Sequence, residues 1–316
     1  MDVLSDVVAV TRRGRPRSAH VRWHAPWGQE FASVPGSAGF QVILQGSCWL
    51  LAPDAEPVQL GTGDVVFLPH GRGHTLADSP EPPVTAPACG PDELPLSETR
   101  DSDTHVSDSV DRSGDGGPVT VVLCGAYQLD PARTHPLLLT LPDLIHLPAQ
   151  EGRHPELSSA VSLLAAELEN PRLGTDAAVP VLLDALLLYI LRIWFDEVSS
   201  QVNPTGWAAA LNDPPVTAAL HAIHRDPAQP WTVAKLAAES GLSRAPFARR
   251  FALLIGQPPV GYLTWWRMTV AARLLRTSDA PLRSIAAQVG YTSEFAFANA
   301  FKRTHGMAPG MYRRKT

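Results

Sequence analysis

The sequence predicts an α+β protein of two domains, a strand-rich half that runs on into helices and an all-α end. Three observations predict it. Residues 20–78 and 119–129 alternate apolar and polar side chains as strands do, helical spacing takes over after Pro155, and the last 85 or so residues contain one pattern written twice.

In the strand-rich half, the runs FQVILQG, CWLLA, VQL and DVVFLP are short, rich in β-formers and separated by Gly, Pro and Asp. Such punctuation suits an antiparallel sheet or a small barrel. Residues 79–118 hold nine acidic and two basic residues among Pro, Gly and Ser, the composition of a disordered loop. VTVVLCGAYQL resumes the strand pattern at 119–129, so the loop is an insertion and the first domain extends over 1–150.

Leu157, Val161, Leu164 and Leu168 then form a helical stripe, and 181–191 is apolar nearly all round. A helix of that kind is buried on more than one side. Either it is enclosed within its own chain, or one side packs on the sheet and another on a second copy, which makes 151–199 a candidate coupling and dimerisation segment. Residues 200–213, SQVNPTGWAAALND, read as a linker, and 214–316 as the second domain.

Charge separates the two halves. Residues 214–316 carry 14 Lys and Arg against 4 Asp and Glu, whereas the remainder carries 12 against 27. A net charge of -5 therefore conceals a basic end on an acidic body, and the basic end suits a polyanionic partner. MDVLSDVVAVTRRGRPR lacks the apolar core of a signal peptide, and 179–195 is short and interrupted by Asp184 and Arg192. Three cysteines make no disulfide framework, so the expected location is cytoplasmic, with no membrane partner.

The duplicated pattern is specific. Leu236, Ala237, Ala238 and Gly241 return as Ile285, Ala286, Ala287 and Gly290, a shift of 49. Ser243, Phe247, Phe251, Gly256, Pro259 and Tyr262 return as Ser293, Phe297, Phe301, Gly306, Pro309 and Tyr312, a shift of 50. Each copy reads as helix, glycine turn and second helix. Thr232 caps the first helix, with Val233, Leu236 and Ala237 inward; Gly241 permits the turn; Ser243 caps the second helix. In the other copy Leu282, Ile285, Ala286 and Val289 form the support helix, and Ser293 caps the next. Residues 260–276 join the copies as a helix with Arg267, Arg273 and Arg276 on its polar face.

Helix-turn-helix units place the second helix in the major groove, and two such units about 34 Å apart would enter successive grooves. Ser243, Arg244, Ala245, Ala248 and Arg249 in one copy, and Ser293, Glu294, Phe295, Asn299, Lys302 and Arg303 in the other, are the candidate contacts with double-stranded DNA. Arg249 suits guanine, Asn299 adenine, Glu294 the cytosine amine, and Ala245 and Ala248 thymine methyls. Arg244, Lys302 and Arg303 suit phosphates. The copied positions are scaffold and the outward ones differ, so one chain should recognise an asymmetric site.

The runs LAAESGLSRAPFARRFALLIGQPPVGYL and IAAQVGYTSEFAFANAFKRTHGMAPGMYRR resemble the AraC/XylS family of bacterial transcription regulators. The resemblance implies two helix-turn-helix units, sequence-specific promoter binding, a homodimer, and contact with RNA polymerase if the protein activates. One departure is Pro246, inside the first recognition helix but where its missing N–H is a free helix-end donor.

Gly63, Pro69, Gly71 and His74 match the second cupin motif, which implies a cupin-like β-barrel of jelly-roll type. The earlier histidine-rich cupin motif is missing; Phe40-Gln41-Val42-Ile43-Leu44 stands there. No cofactor is required. A metal ion would have to recruit His74 with His20, His24 or His70, and the alternative is that these histidines are satisfied or exposed. VRWHAPWG, GSCWL and VLCGAYQL resemble the sensor half of an AraC subgroup, some of whose members respond to reactive chlorine through cysteines. On that likeness His24, Gln41, His74 and Cys124 are effector or redox candidates. Ala19 and His20 occupy the place of the expected partner cysteine, Cys48 and Cys124 also read as buried strand residues, and Cys89 lies in the loop. The leading expectation is a non-enzymatic, sequence-specific regulator sensing an unknown small molecule, metal or oxidant. The alternatives are a cupin-fold metal enzyme with a DNA-binding appendage, which lacks a second set of ligands, and a non-specific DNA binder.

Overall fold

The computed structural model describes residues 2–81, 107–112, 117–129, 135–150, 152–199 and 206–315. It divides into two units, each assembled from separate stretches of chain. One comprises 12–134 and 141–194; the other comprises 1–11, 135–140 and 195–316.

The first unit takes its form from strand alternation. A six-stranded sheet runs β10 (Ile145–Leu147), β6 (Val65–Leu68), β3 (Ser37–Gln45), β9 (Val119–Leu129), β1 (Arg12–His24) and β8 (Ser107–Arg112). A four-stranded sheet runs β2 (Gly28–Phe31), β7 (His74–Ala77), β4 (Ser47–Leu51) and β5 (Val58–Gly61). The expected barrel is thus two antiparallel-rich sheets sharing a core, without closure. Ala19, Val21 and Trp23 of β1 meet Ile43, Leu50, Leu60, Leu76 and Val122 in that core. Alternation sends His20, Arg22 and His24 to the opposite face of β1. The expected loop at 79–118 lies largely outside the described residues, but Ser107–Arg112 is a strand paired parallel to β1. Backbone pairing with a long neighbouring strand supplies what its polar sequence lacks.

Helices α3 (Pro155–Glu169) and α4 (Thr175–Ser199) complete this unit as far as Trp194. Leu157, Ala160, Leu164 and Leu168 of α3 are buried, while Val161 is only half-buried. Val179, Leu183, Leu186, Leu187 and Ile190 of α4 are buried, and Tyr127 of β9 donates its hydroxyl to the Leu183 carbonyl at 2.6 Å. By length and composition alone α4 could cross a membrane. One side of it instead packs in this unit, while Val181 on the other remains 67% exposed.

The second unit contains α1 (Val3–Thr11), α2 (Pro136–Leu139), α5 (Gly206–Leu211), α6 (Pro214–Arg225), α7 (Val233–Glu239), α8 (Arg244–Ile255), α9 (Pro259–Thr277), α10 (Leu282–Gln288), α11 (Glu294–His305) and α12 (Pro309–Lys315). The expected linker at 200–213 is helical over Gly206–Leu211, because Trp207, Ala208 and Ala210 bury one face. One buried chain of hydrogen bonds joins the separate stretches. His135 Nδ1 accepts from the Leu137 amide at 3.0 Å, which leaves its proton on Nε2 to donate to the Tyr262 oxygen at 3.0 Å. The Tyr262 hydroxyl then donates to His224 Nε2 at 2.7 Å, and His224 Nδ1–H donates to the Asp6 carboxylate at 3.1 Å. Trp266 stacks on His224 at 3.9 Å, and Trp207 and Trp265 stand edge-on to His135.

Arg267 of α9 is fixed within the scaffold. It donates to the carbonyls of Pro227 at 2.7 Å and Gln229 at 2.9 Å, and lies over the Tyr291 ring. Gly290 turns beside it at φ 81°, where a Cβ would stand 2.8 Å from the Ala228 carbonyl oxygen. Gly256 has φ 80° with nothing within 4 Å of a Cβ. Gly256→Ala should therefore cost about 1 kcal/mol for left-handed backbone alone. Gly290→Ala should cost clearly more, because backbone must also move. Urea midpoints of the two variants check this; equal losses would show that the close approach is unimportant.

Candidate nucleic-acid interface

Each copied unit is built outward from its phenylalanines. Phe247 and Phe251, four residues apart on α8, are completely buried, as are Phe297 and Phe301 on α11. Leu236 and Ala237 of α7 and Ile285, Ala286 and Val289 of α10 close the two small cores. Gly241 and Gly290 turn the chain between helices with φ 68° and 81°. With the inner faces fixed by these anchors, the opposite faces of α8 and α11 are presented outward.

The first face exposes Ser243, Arg244, Ala245, Pro246 and Arg249, with Ala248 half-buried at its edge. Neighbouring Arg250 is paired with Asp213, the cap of α6, so it is held in the scaffold. Arg244 and Arg249 have no ion pair among the described residues. Ser243 occupies the cap position with extended backbone, yet makes no side-chain cap bond. In the second copy Ser293 accepts from the Ala296 amide at 3.3 Å. The position corresponding to Ala296 is Pro246, which has no N–H to give. The Ser243 hydroxyl is consequently exposed and available to another partner. Leu253, which the repeat comparison passed over, also stands out at 79% exposed.

The second face exposes Ser293, Glu294, Phe295, Asn299, Lys302 and Arg303. Phe295 is 77% exposed, a large apolar surface to leave in water on a folded unit. Tyr291, Ala296, Asn299, Lys302 and Arg303 line a shallow concavity. Burial pushes the Tyr291 phenol up, against the pull of Arg267 and Arg303. Tyr291 and Ala296 were not singled out by the sequence comparison; Tyr291 replaces Leu242 of the first copy, and that change at an otherwise copied turn was the available signal. A face with apolar, amide and cationic groups in one concavity can hydrogen-bond to bases and neutralise phosphates.

The first unit disperses the four metal candidates. His74 is stacked on Phe31 at 4.7 Å, and the Gln41 side-chain amide donates to its Nε2 at 3.1 Å. His70 Nε2 meets the Leu141 carbonyl at 2.9 Å. His20 and His24 stand on the other face of β1. Among the described residues no group of three or more His, Cys, Asp or Glu is arranged to hold a metal. The donor set around His74 therefore does not fit the metal that cupins commonly bind: its neighbour is an amide, which competes for the ring nitrogen.

Cys124 is buried opposite Gln41, with its thiol 3.5 Å from the Ala19 carbonyl. Cys48 is buried in the same core, and burial, aided by the Asp64 charge, pushes its thiol up to about 12. A thiol held that high stays protonated and is a poor nucleophile. Cys89 lies outside the described residues.

A family model described as Cupin matches residues 2–196, and one described as Helix-turn-helix domain matches residues 236–315. The chain is 35% identical to a putative AraC-like transcription regulator of Streptomyces lividans, over 99% of this chain and 98% of that one. It is 28% identical to the HTH-type transcriptional regulator AlkR of Acinetobacter baylyi, with 100% of both chains covered. It is also 27% identical to the RCS-specific HTH-type transcriptional activator RclR of Escherichia coli, over 93% of this chain and 89% of that one.

The buried histidines set a pH dependence. Burial holds His74 down at about 4, and burial is likewise the first cause depressing His20, His135 and His224. Between that value and the ordinary histidine value of 6.5, the unfolded chain binds more protons than the folded one. Stability should thus be fully present above 6.5 and fall as pH drops towards about 4, with His74 alone contributing on the order of 3 kcal/mol. Melting temperatures measured across this window should fall with pH, and His74→Gln should flatten the slope. A variant with the wild-type slope would remove His74 from this account.

Proposed function

Since this chain belongs to the AraC family of helix-turn-helix transcription regulators and carries a cupin domain, we propose that it binds promoter DNA sequence-specifically and that its cupin unit senses an effector. The observation that carries the reading is the pair of unlike exposed faces on copied scaffolds. Arg249 reads guanine and Asn299 reads adenine, while Glu294 accepts from cytosine. Ala245, Ala248 and Phe295 make apolar contacts with bases. Arg244, Lys302, Arg303 and the two cap serines, Ser243 and Ser293, hold phosphates. The exposed Ser243 hydroxyl favours that role for the first copy. The resulting DNA site is asymmetric.

The chain acts in the cytoplasm as a homodimer, with the half-exposed side of α4, including Val181, as the second copy's seat. It contacts RNA polymerase where it activates. It is not an enzyme: the full-length relatives are named transcription regulators, and the amide bonded to His74 disfavours the metal-enzyme alternative. Sensing by Gln41, His74, His24 or Cys124 requires an effector with different affinity for two states of the protein.

Gel shifts at fixed salt on DNA upstream of the chain's own gene and its neighbours test this. Arg249→Ala and Asn299→Ala should each cost about 1–3 kcal/mol and relax preference at one base position. Lys302→Ala should weaken promoter and random DNA alike and reduce the salt dependence. Comparable wild-type affinity for promoter and random DNA would sink the sequence-specific reading and leave an architectural binder.

A further inference from the structure

The face of the six-stranded sheet that turns away from the shared core covers a cavity of about 400 Å³ beneath α3. Its floor is apolar: Val65, Val121 and Leu157 are each almost wholly buried. Its polar lining includes His20, Arg22 and Glu169. His20 and Arg22 are two residues apart on β1 and so share a face. His20 is only 6% exposed and makes no hydrogen bond among the described residues. Arg22 likewise has no ion pair among them.

This is an unusual set of groups for a packing fault. A void left by imperfect packing is apolar and stays dry, and a buried polar side chain without a partner destabilises the fold that holds it. The concavity beside His74 differs in that its cation and its imidazole are already engaged, Arg72 with Asp143 and His74 with Gln41. Here, among the described side chains, Arg22 has no ion pair and His20 no hydrogen bond, and the charges of Glu169 and Arg22 act on the His20 ring. Burial depresses the His20 pKa, so its ring is a neutral donor and acceptor and Arg22 supplies the charge. Glu169, at the rim, repels a second negative charge on whatever enters.

The geometry points to an effector site for a small organic monocarboxylate with an apolar body: the carboxylate on Arg22 and His20, the body on the aliphatic floor. The volume lies within the range of small-molecule sites, roughly 300–1,000 Å³. Assigning effector status rests on the sensor reading above; the binding site itself does not. Entry of a ligand between the sheet and α3 would act on the segment that continues into α4.

Calorimetry on the full chain with 3-phenylpropionate tests the site, with 3-phenylpropan-1-ol as the uncharged comparison. Saturable binding of the acid is expected, with the alcohol weaker by about tenfold or more. Arg22→Met should weaken the acid by about tenfold and leave the alcohol unchanged. Ala165→Phe, which fills the cavity from α3 without touching a charge, should abolish both. Circular dichroism and melting temperatures close to those of the wild type show that each variant is folded. Absence of saturable acid binding, or binding undiminished in Ala165→Phe, overturns the site. Binding that behaves as expected but leaves DNA affinity unaltered supports the site and overturns the sensor reading instead.

Discussion

The helix-turn-helix unit depends on a single buried sequence of proton donors and acceptors. It begins at the Leu137 amide, passes through His135, Tyr262 and His224, and ends on the Asp6 carboxylate. Each step fixes the next, because a neutral imidazole can donate at one nitrogen only if it accepts at the other. Tyr262 is completely buried and one of the repeat's own scaffold tyrosines. Its hydroxyl would be orphaned without both histidines. Burial raises the phenol and lowers both imidazoles, so Tyr262, His135 and His224 are held in their neutral forms. The aromatic walls formed by Trp207, Trp265 and Trp266 exclude the water that would otherwise compete.

The duplicated units show how one scaffold supports two chemistries. Anchors, turn glycines and terminal tyrosines are repeated because they satisfy packing, which is the same problem twice. The outward residues answer to a partner, and they diverge. Pro246 illustrates how a scaffold change reaches the surface. By removing one backbone donor it releases the Ser243 hydroxyl from the capping role that Ser293 keeps. The two heads therefore differ in hydrogen-bonding capacity as well as in side-chain identity. Arg250 and Arg267 show the reverse: adjacent or similar cations are tied to the scaffold by Asp213 and by backbone carbonyls.

Features governed by neighbours in the chain were legible in the sequence. The caps Thr232 and Ser293, the turn glycines and the i, i+4 phenylalanines state their structure locally, and alternation marked the runs that form β3, β4, β5, β6 and β9. Features governed by distant partners were not. Nothing in the spacing of Asp6 or His135 announces a hydrogen bond to residues far along the chain. The strand Ser107–Arg112 sits in a polar, acidic segment and acquires its form from pairing with β1. Residues 206–211 fall in the stretch 200–213 that reads as a linker, whereas the burial of Trp207 decides the outcome. The cupin motif singled out His74 as a candidate ligand or a satisfied histidine, but only the fold could show that Gln41 faces it.

The passage of the chain also bears on how the molecule may be divided. It begins in the helical unit, leaves after Thr11, returns for 135–140, leaves again and comes back for good at Phe195. A fragment cut within residues 200–205, before α5, would retain both reading heads, all four phenylalanine anchors and the helix between them. It would nevertheless lack Asp6, His135 and the Leu137 amide, leaving His224 and Tyr262 facing solvent with their partners amputated. In topological terms the helical unit is discontinuous, and no single scission releases it whole.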